Sequence, residues 1–369
     1  MRTLSLILLL LLFLPFVQGQ QVAKKELSRR LDAVFQSRIK VHEPGGSFLI
    51  QKGKKVLYAK SFGLADLKTG EKFSANTLAN VGSISKTFVA YGILLLEKEG
   101  KLSIEDPILK YFPDFEHPDV VRKITIQHLL THSSGLPDSR NVGEDSIFYL
   151  NAKDLENFAP LKSTNSLHFE PGSRFEYSNP AFNGLALIIE QVSGQKWQQF
   201  IGERIFKPAG MQRSVITDGA FPETGVSHGY RVHQNRFDEY DYGEYPTFCA
   251  AGNGGVWSSV NELRKYLAAV KACTFTDCAT IKKSQTVWQS PTWNSADPPF
   301  MGLSWFVEEN PPGVGNKSIG HTGSQGGFMA HLIWFPERDL SIIWLANDSE
   351  FYSTEILTAL ELIKAVHRP

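Results

Sequence analysis

The sequence has no excess charge of either sign, since 38 Lys and Arg balance 38 Asp and Glu. Without a net field nothing draws in nucleic acid or an anionic membrane from a distance, so a small-molecule or peptide substrate is expected and nucleic acid is not. Cysteine is scarce. Cys249, Cys273 and Cys278 are too few for a disulfide framework in 369 residues, and none has the spacing of a metal site. Cys273 and Cys278 have two readings: a small loop closed in an oxidising compartment, or separate thiols. The apolar run from Leu4 to Val17 covers about fourteen residues, short of the roughly 20 that span a bilayer. Gly-x-Ser-x-Gly is missing, which excludes the nucleophile elbow of an α/β-hydrolase. There is no repeat or low-complexity segment, and neither a cofactor nor a metal is expected.

Arg2 ahead of the short apolar run, and small residues ending at Gly19, fit an export signal over residues 1–19. The mature chain, 20–369, is then expected to be soluble, without a stable membrane anchor, and secreted or periplasmic. It is 42% hydrophobic and 21% charged, a globular composition. At about 150 residues per domain, two lobes are expected.

Alternation rich in Phe, Leu, Ile and Val predicts a hairpin over Gly46–Gln51 and Val56–Phe62, and a second over Phe328–Phe335 and Leu340–Leu345. Shorter strands are expected at Leu303–Val307 and Ser318–Gly320. Ile84 to Glu99 reads as a helix stopped by Gly100, apolar on most sides and therefore buried. Further helices are expected at Ile126–Leu130, Phe182–Val192, Val260–Val270 and about Ser353–Val366. Strands at both ends around a helical middle predict an α/β (α+β) fold. An antiparallel sheet built from the two chain ends, about 22–84 and 295–369, is flanked by helices, and a mostly helical lobe covers about 85–294 of a single catalytic domain. The cleft between them is the natural site.

Ser83-Ile84-Ser85-Lys86 stands where an extended segment turns into a helix, which puts Ser83 and Lys86 on one face. Ser83 then lies at a helix start, where free N–H groups favour negative charge. Lys86 can take the serine proton if burial makes its ammonium costly. The spacing alone is common: Ser37/Lys40 and Ser193/Lys196 repeat it, but neither follows a strand. Tyr177-Ser178-Asn179 follows in a loop before a helix. A phenol beside a lysine ammonium is favoured as phenolate, so Tyr177 can pass a proton, and Asn179 can hold Lys86 or a substrate carbonyl. Tyr149-Leu150-Asn151 copies this pattern before an acidic stretch. His321-Thr322-Gly323-Ser324 reads as an edge strand that can pair with an extended substrate, its backbone N–H near Ser324 joining that of Ser83 in an oxyanion hole. Lys68-Thr69-Gly70 copies the motif, but ahead of the serine.

Ser83-x-x-Lys86, Tyr177-x-Asn179 and His321-Thr322-Gly323, in that order, resemble the three motifs of serine β-lactamases and penicillin-binding proteins. That family includes class C β-lactamases, D,D-carboxypeptidases, D-aminopeptidases and related esterases. The segments Ile126–Leu136 and Gly252–Ser259 resemble it as well, and the likeness covers about 25–365. It implies a β-lactamase/transpeptidase-like fold in which Ser83 attacks a carbonyl, Lys86 and Tyr177 handle protons, and water hydrolyses an acyl-enzyme. Class C β-lactamases usually carry lysine where this chain has His321, which weakens the expected grip on a carboxylate. The expected function is a serine hydrolase acting on a D-amino-acid peptide, short ester or β-lactam. The alternative is a non-catalytic sensor of penicillin or peptidoglycan fragments. His128 and His132, four apart, read as capping or packing residues in preference to metal ligands.

Overall fold

The computed structural model describes residues 25–138, 152–217, 221–222, 224–233, 236–239, 251–309 and 316–348. The leader 1–19, the helix expected at Ser353–Val366, Cys249 and the Tyr149 copy of the tyrosine motif lie outside them.

Both expected hairpins form. They are β1 (Gly46–Lys52) with β2 (Lys55–Phe62), and β5 (Phe328–Phe335) with β6 (Leu340–Ala346). With β3 (Phe306–Glu308) and β4 (Ser318–Gln325) they make one antiparallel sheet in the order β3-β4-β5-β6-β1-β2. The sheet therefore closes through β1 against β6, Gly46 opposite Ala346, which joins the two ends of the chain. Period-two alternation sorts β6 between two cores. Leu340, Ile342, Trp344 and Ala346 face one, Ile343 and Leu345 the other.

The outer core is sealed by α1 (residues 25–38), whose Leu27, Leu31 and Phe35 pack on Phe48, Ile50 and Trp344. Phe35 and Phe48 ring centres are 3.6 Å apart and Phe48 and Trp344 4.7 Å. The inner face meets α2 (Ser85–Lys98), buried from Ser85 through Leu96. A helix apolar all round has to be central, since any exposed face would forfeit burial energy. It ends as expected at Gly100 in a left-handed turn, φ 69°, with Lys101 N–H donating to Leu96 and Gly100 N–H to Glu97. Around α2 lie α3 (Asn179–Ser193), capped by Ser178 Oγ on Ala181 N–H, and α4 (Val260–Lys271), capped by Ser259 Oγ on Glu262 N–H.

Two expectations change. The chain around Ser83 is not a helix from Ile84: a 3-10 turn, Gly82–Ile84, precedes α2. And β4 is longer than Ser318–Gly320 and is not the outermost strand, because β3 pairs with Ser318, Ile319 and Gly320. Beyond Gly320 that edge is not paired with β3, and His321–Gln325 runs on past it.

The 3-10 turn and β4 meet backbone to backbone through two glycines. Gly82 has φ +50°, and a Cβ on it would come within 2.8 Å of Ser324 N. A Cβ on Gly323 would run into the Val81 carbonyl and stand 3.1 Å from Ser83 N. Rigid backbone on both sides leaves no cheap relief. Gly323→Ala is therefore expected to separate the turn from β4, with a fall of about 1–3 kcal/mol in stability by urea denaturation and a larger proportional loss of activity.

Candidate active site

From Val81 to Leu96 every residue is buried except Ser83. Asn80 Oδ1 accepts the Gly82 N–H at 2.8 Å and fixes the tight turn that lifts Ser83 out of the core. One helical turn on, Lys86 has no exposed surface. Its Nζ lies 3.0 Å from Ser83 Oγ, 2.9 Å from Asn179 Oδ1 and 2.7 Å from the Asn253 carbonyl. These partners come from the 3-10 turn, the first residue of α3 and the short helix Ala251–Gly254.

Tyr177 closes the other side, its ring centre 5.1 Å from Lys86 Nζ. The lysine thus sits over the ring face as a cation–π partner. Burial pushes the Tyr177 phenol well up from its usual range, opposed by a hydrogen bond with Ser83. The phenolate expected from sequence is therefore not the resting form. Desolvation outweighs a lysine placed over the ring, and Tyr177 waits as an intact O–H donor.

On β4, Thr322 and Ser324 point outward while His321 and Gly323 are buried. His321 Nδ1 stands 2.6 Å from the Thr322 carbonyl and donates to it, and the ring packs on Phe306 at 4.9 Å. Burial, then the Lys86 charge, pushes His321 down to about 3. Its imidazole is neutral at physiological pH, and its Nε2 lone pair has no hydrogen-bond partner among the described residues. All eight residues singled out by the motifs, Ser83, Lys86, Tyr177, Asn179, His321, Thr322, Gly323 and Ser324, thus stand around one centre.

The copies of the motifs stand elsewhere with partners of their own. Ser37 Oγ donates to the Val34 carbonyl, Lys196 pairs with Glu190, and Thr69 Oγ1 donates to Asp66. His128 and His132 do not converge on a metal. His128 Nδ1 accepts the Thr125 N–H as a cap, and His132 Nδ1 accepts the Ser178 N–H, each at 3.0 Å. Among the described residues no cluster of three or more His, Cys, Asp or Glu could hold a metal ion. Cys273 and Cys278 form a disulfide.

Sequence reasoning missed Asn253, because it acts through its carbonyl, which every residue has. It also missed the buried Asp154, whose carboxylate accepts from Asn183 Nδ2, Trp197 Nε1 and Gly252 N–H at 2.6, 2.9 and 3.0 Å. Burial raises Asp154 to about 6 despite these donors. By fixing Gly252 it fixes the carbonyl next along the chain, on which Lys86 rests. The Gly252-Asn253-Gly254-Gly255 run was the available signal.

Three buried histidines, His132, His321 and His331, and the half-buried His128 make the fold acid-labile. Desolvation lowers His321 to about 3, His128 and His331 to about 4, and His132 well below its usual range. The unfolded chain takes up these protons near pH 6.5 and the folded chain does not. Stability is thus complete above about pH 6.5 and falls as pH drops towards 4, by up to about 1.4 kcal/mol per pH unit for each group. Calorimetry is expected to show a level Tm from pH 7 to 8 and a steady fall below 6.5. A Tm unchanged down to pH 4.5 contradicts the burial of these rings.

Comparison with known proteins places this geometry. Penicillin-binding protein 4* of Bacillus subtilis strain 168 is 28% identical over 355 residues, covering 92% of this chain and 76% of that protein. Protein flp of Staphylococcus aureus strain N315 is 33% identical over 332 residues, 87% of this chain and 63% of its own length. The octameric penicillin-binding protein homologue from Pyrococcus abyssi superposes with a TM-score of 0.78 at 29% identity, over 91% of this chain and 77% of that one. The D-amino acid amidase of Ochrobactrum anthropi SV3 shares the fold, with a TM-score of 0.73 at 22% identity over 91% of this chain and 99% of that one. Residues 31–364 match the Beta-lactamase family model, and the chain belongs to that family.

Proposed function

We propose that this protein is a serine hydrolase that cleaves an amide or ester through an acyl-enzyme on Ser83. The observation that carries the reading is the set of partners around Lys86. Asn179 Oδ1 and the Asn253 carbonyl can only accept, so a neutral Lys86 amine spends both N–H groups on them and turns its lone pair to the Ser83 hydroxyl 3.0 Å away.

Ser83 Oγ then bonds to the substrate carbonyl carbon as its proton passes to Lys86. The carbonyl oxygen takes up the negative charge, and the Ser83 and Ser324 N–H groups, brought close by Gly82 and Gly323, receive it. As the bond to the leaving nitrogen or oxygen breaks, Tyr177 gives that atom its proton and is reprotonated from Lys86. Water attacks the acyl-enzyme with the same base, releasing the acid and restoring Ser83. Asn179 holds Lys86 through Oδ1 and offers its Nδ2 to the substrate. Thr322 and Ser324 face outward on the open edge of β4, where an extended substrate pairs as an added strand.

The neutral His321 sets a preference. A buried imidazole with an acceptor nitrogen offers no fixed charge to a carboxylate, so amides and esters without one suit this wall best. Among proteins of the same fold, one is named a D-amino acid amidase and another a D-stereospecific amidohydrolase, names in keeping with such substrates. Export through the 1–19 leader to an oxidising compartment is part of the proposal, and the Cys273–Cys278 disulfide supports it.

Mass spectrometry after brief exposure to p-nitrophenyl acetate is expected to show one acyl group on the wild type and none on Ser83→Ala. Equal labelling of both, or of neither, refutes the nucleophile. Lys86→Met is expected to cut the acylation rate by about 10²–10⁴-fold, the usual worth of a positioned base. Converting a carboxylate on the leaving side of a substrate to its amide is expected to leave kcat/KM unchanged or raised. A large loss there points to a carboxylate-binding group.

A further inference from the structure

His132 plays no part in the scheme above, yet three of its features converge on Tyr177. Its carbonyl accepts the Glu176 N–H at 2.8 Å, its Nδ1 accepts the Ser178 N–H at 3.0 Å, and its ring stacks on the Tyr177 ring at 4.2 Å with 25° between planes. One residue thus grips the chain on both sides of the tyrosine and the tyrosine ring itself. Phe182 of α3 backs the imidazole at 5.0 Å.

The cost of this arrangement is visible. His132 has φ +53°, a left-handed conformation that is unfavourable for a bulky side chain by roughly 1–2 kcal/mol. It has no exposed surface, and its Nε2 has no hydrogen-bond partner among the described residues. Since Nδ1 accepts, the proton must be on Nε2, so a polar N–H is buried at the edge of the site. A glycine or asparagine would fill the left-handed position more cheaply if only the turn mattered. Desolvation and the Lys86 charge both keep the ring neutral, which preserves the Nδ1 lone pair that Ser178 needs.

We propose that His132 is a positioning residue for the proton-donating step, holding the Tyr177 hydroxyl where it can protonate the leaving group. The proposal rests on the serine hydrolase reading, and the two separate experimentally. A misplaced acid matters when the leaving group needs a proton and does not when it leaves as a stable anion. Loss of His132 therefore acts selectively on poor leaving groups, whereas general damage to the pocket slows all substrates alike.

Two variants split its contacts. His132→Asn tolerates the left-handed backbone and keeps an acceptor for Ser178 but loses the ring, and His132→Phe keeps the ring but loses the acceptor. Each is compared with wild type on a p-nitrophenyl ester and on an alkyl ester or amide of the same acyl group, with Tm recorded. The expected result is near wild-type acylation by the p-nitrophenyl ester, within about 3-fold, and a loss of about 10–100-fold in kcat for the poor leaving group, with KM little changed. His132→Asn, which keeps the backbone grip, is expected to retain a Tm close to wild type. Full activity of His132→Asn on the poor leaving group overturns the proposal, and so does an equal loss on both substrates. If wild type gains no acyl group on Ser83, the hydrolase reading itself fails and this inference falls with it.

Discussion

Lys86 is a lysine with no exposed surface, and the rest of the site is arranged around it. Taking an ammonium out of water costs several kcal/mol unless every donor is met. Three acceptors meet it here, from parts of the chain 3, 93 and 167 residues away. Joining those parts is what the fold does: α2 carries the lysine through the centre, α3 begins at Asn179, and the short helix Ala251–Gly254 turns the Asn253 carbonyl inward. The same requirement that stabilises the ammonium orients the neutral amine, because two of the three acceptors have no proton to give. Structure and chemistry therefore impose one constraint on these side chains.

That constraint reaches outward in two directions. Asp154 holds Gly252 N–H, Asn183 and Trp197 together, so the carbonyl beneath Lys86 is anchored by a buried carboxylate with all its donors from neutral groups. On the opposite side, Gly82 and Gly323 let the 3-10 turn and β4 touch without side chains between them. This second contact ties Ser83 to the sheet closed by the two chain ends. A shift of β4 is then felt at the backbone N–H groups of Ser83 and Ser324 together.

The motifs were legible because their chemistry lies in side chains at fixed spacing. Ser83 and Lys86 share a face by helical geometry, and the order of Tyr177 and His321 after them singled out the set that the fold brings together. Both hairpins were legible from period-two alternation, which the two cores on either side of β6 explain. The 3-10 turn at Gly82 was not, since it depends on β4 approaching from some 240 residues away. The pairing of β3 with Ser318–Gly320 was hidden for the same reason: strand neighbours are long-range facts. Asn253 acts through its backbone and Asp154 through burial, and neither leaves a pattern of residue types. The phenolate expected of Tyr177 failed because proximity to lysine in sequence logic says nothing about whether the charge lies at the hydroxyl or over the ring.

The site also limits where a proton can rest. Burial holds Tyr177 protonated, and burial above all holds His132 and His321 neutral. Around neutral pH none of these three groups ionises to compete with Lys86 for the serine proton. In the proposed reaction the serine proton therefore goes to Lys86, which sits over the face of the Tyr177 ring. A permanent charge in the place of His321 would strengthen the hold on an anionic substrate, but it would also repel the proton from Lys86 at the moment of attack. On the proposed reading, the neutral imidazole on β4 gives up carboxylate binding and puts no second cation beside Lys86.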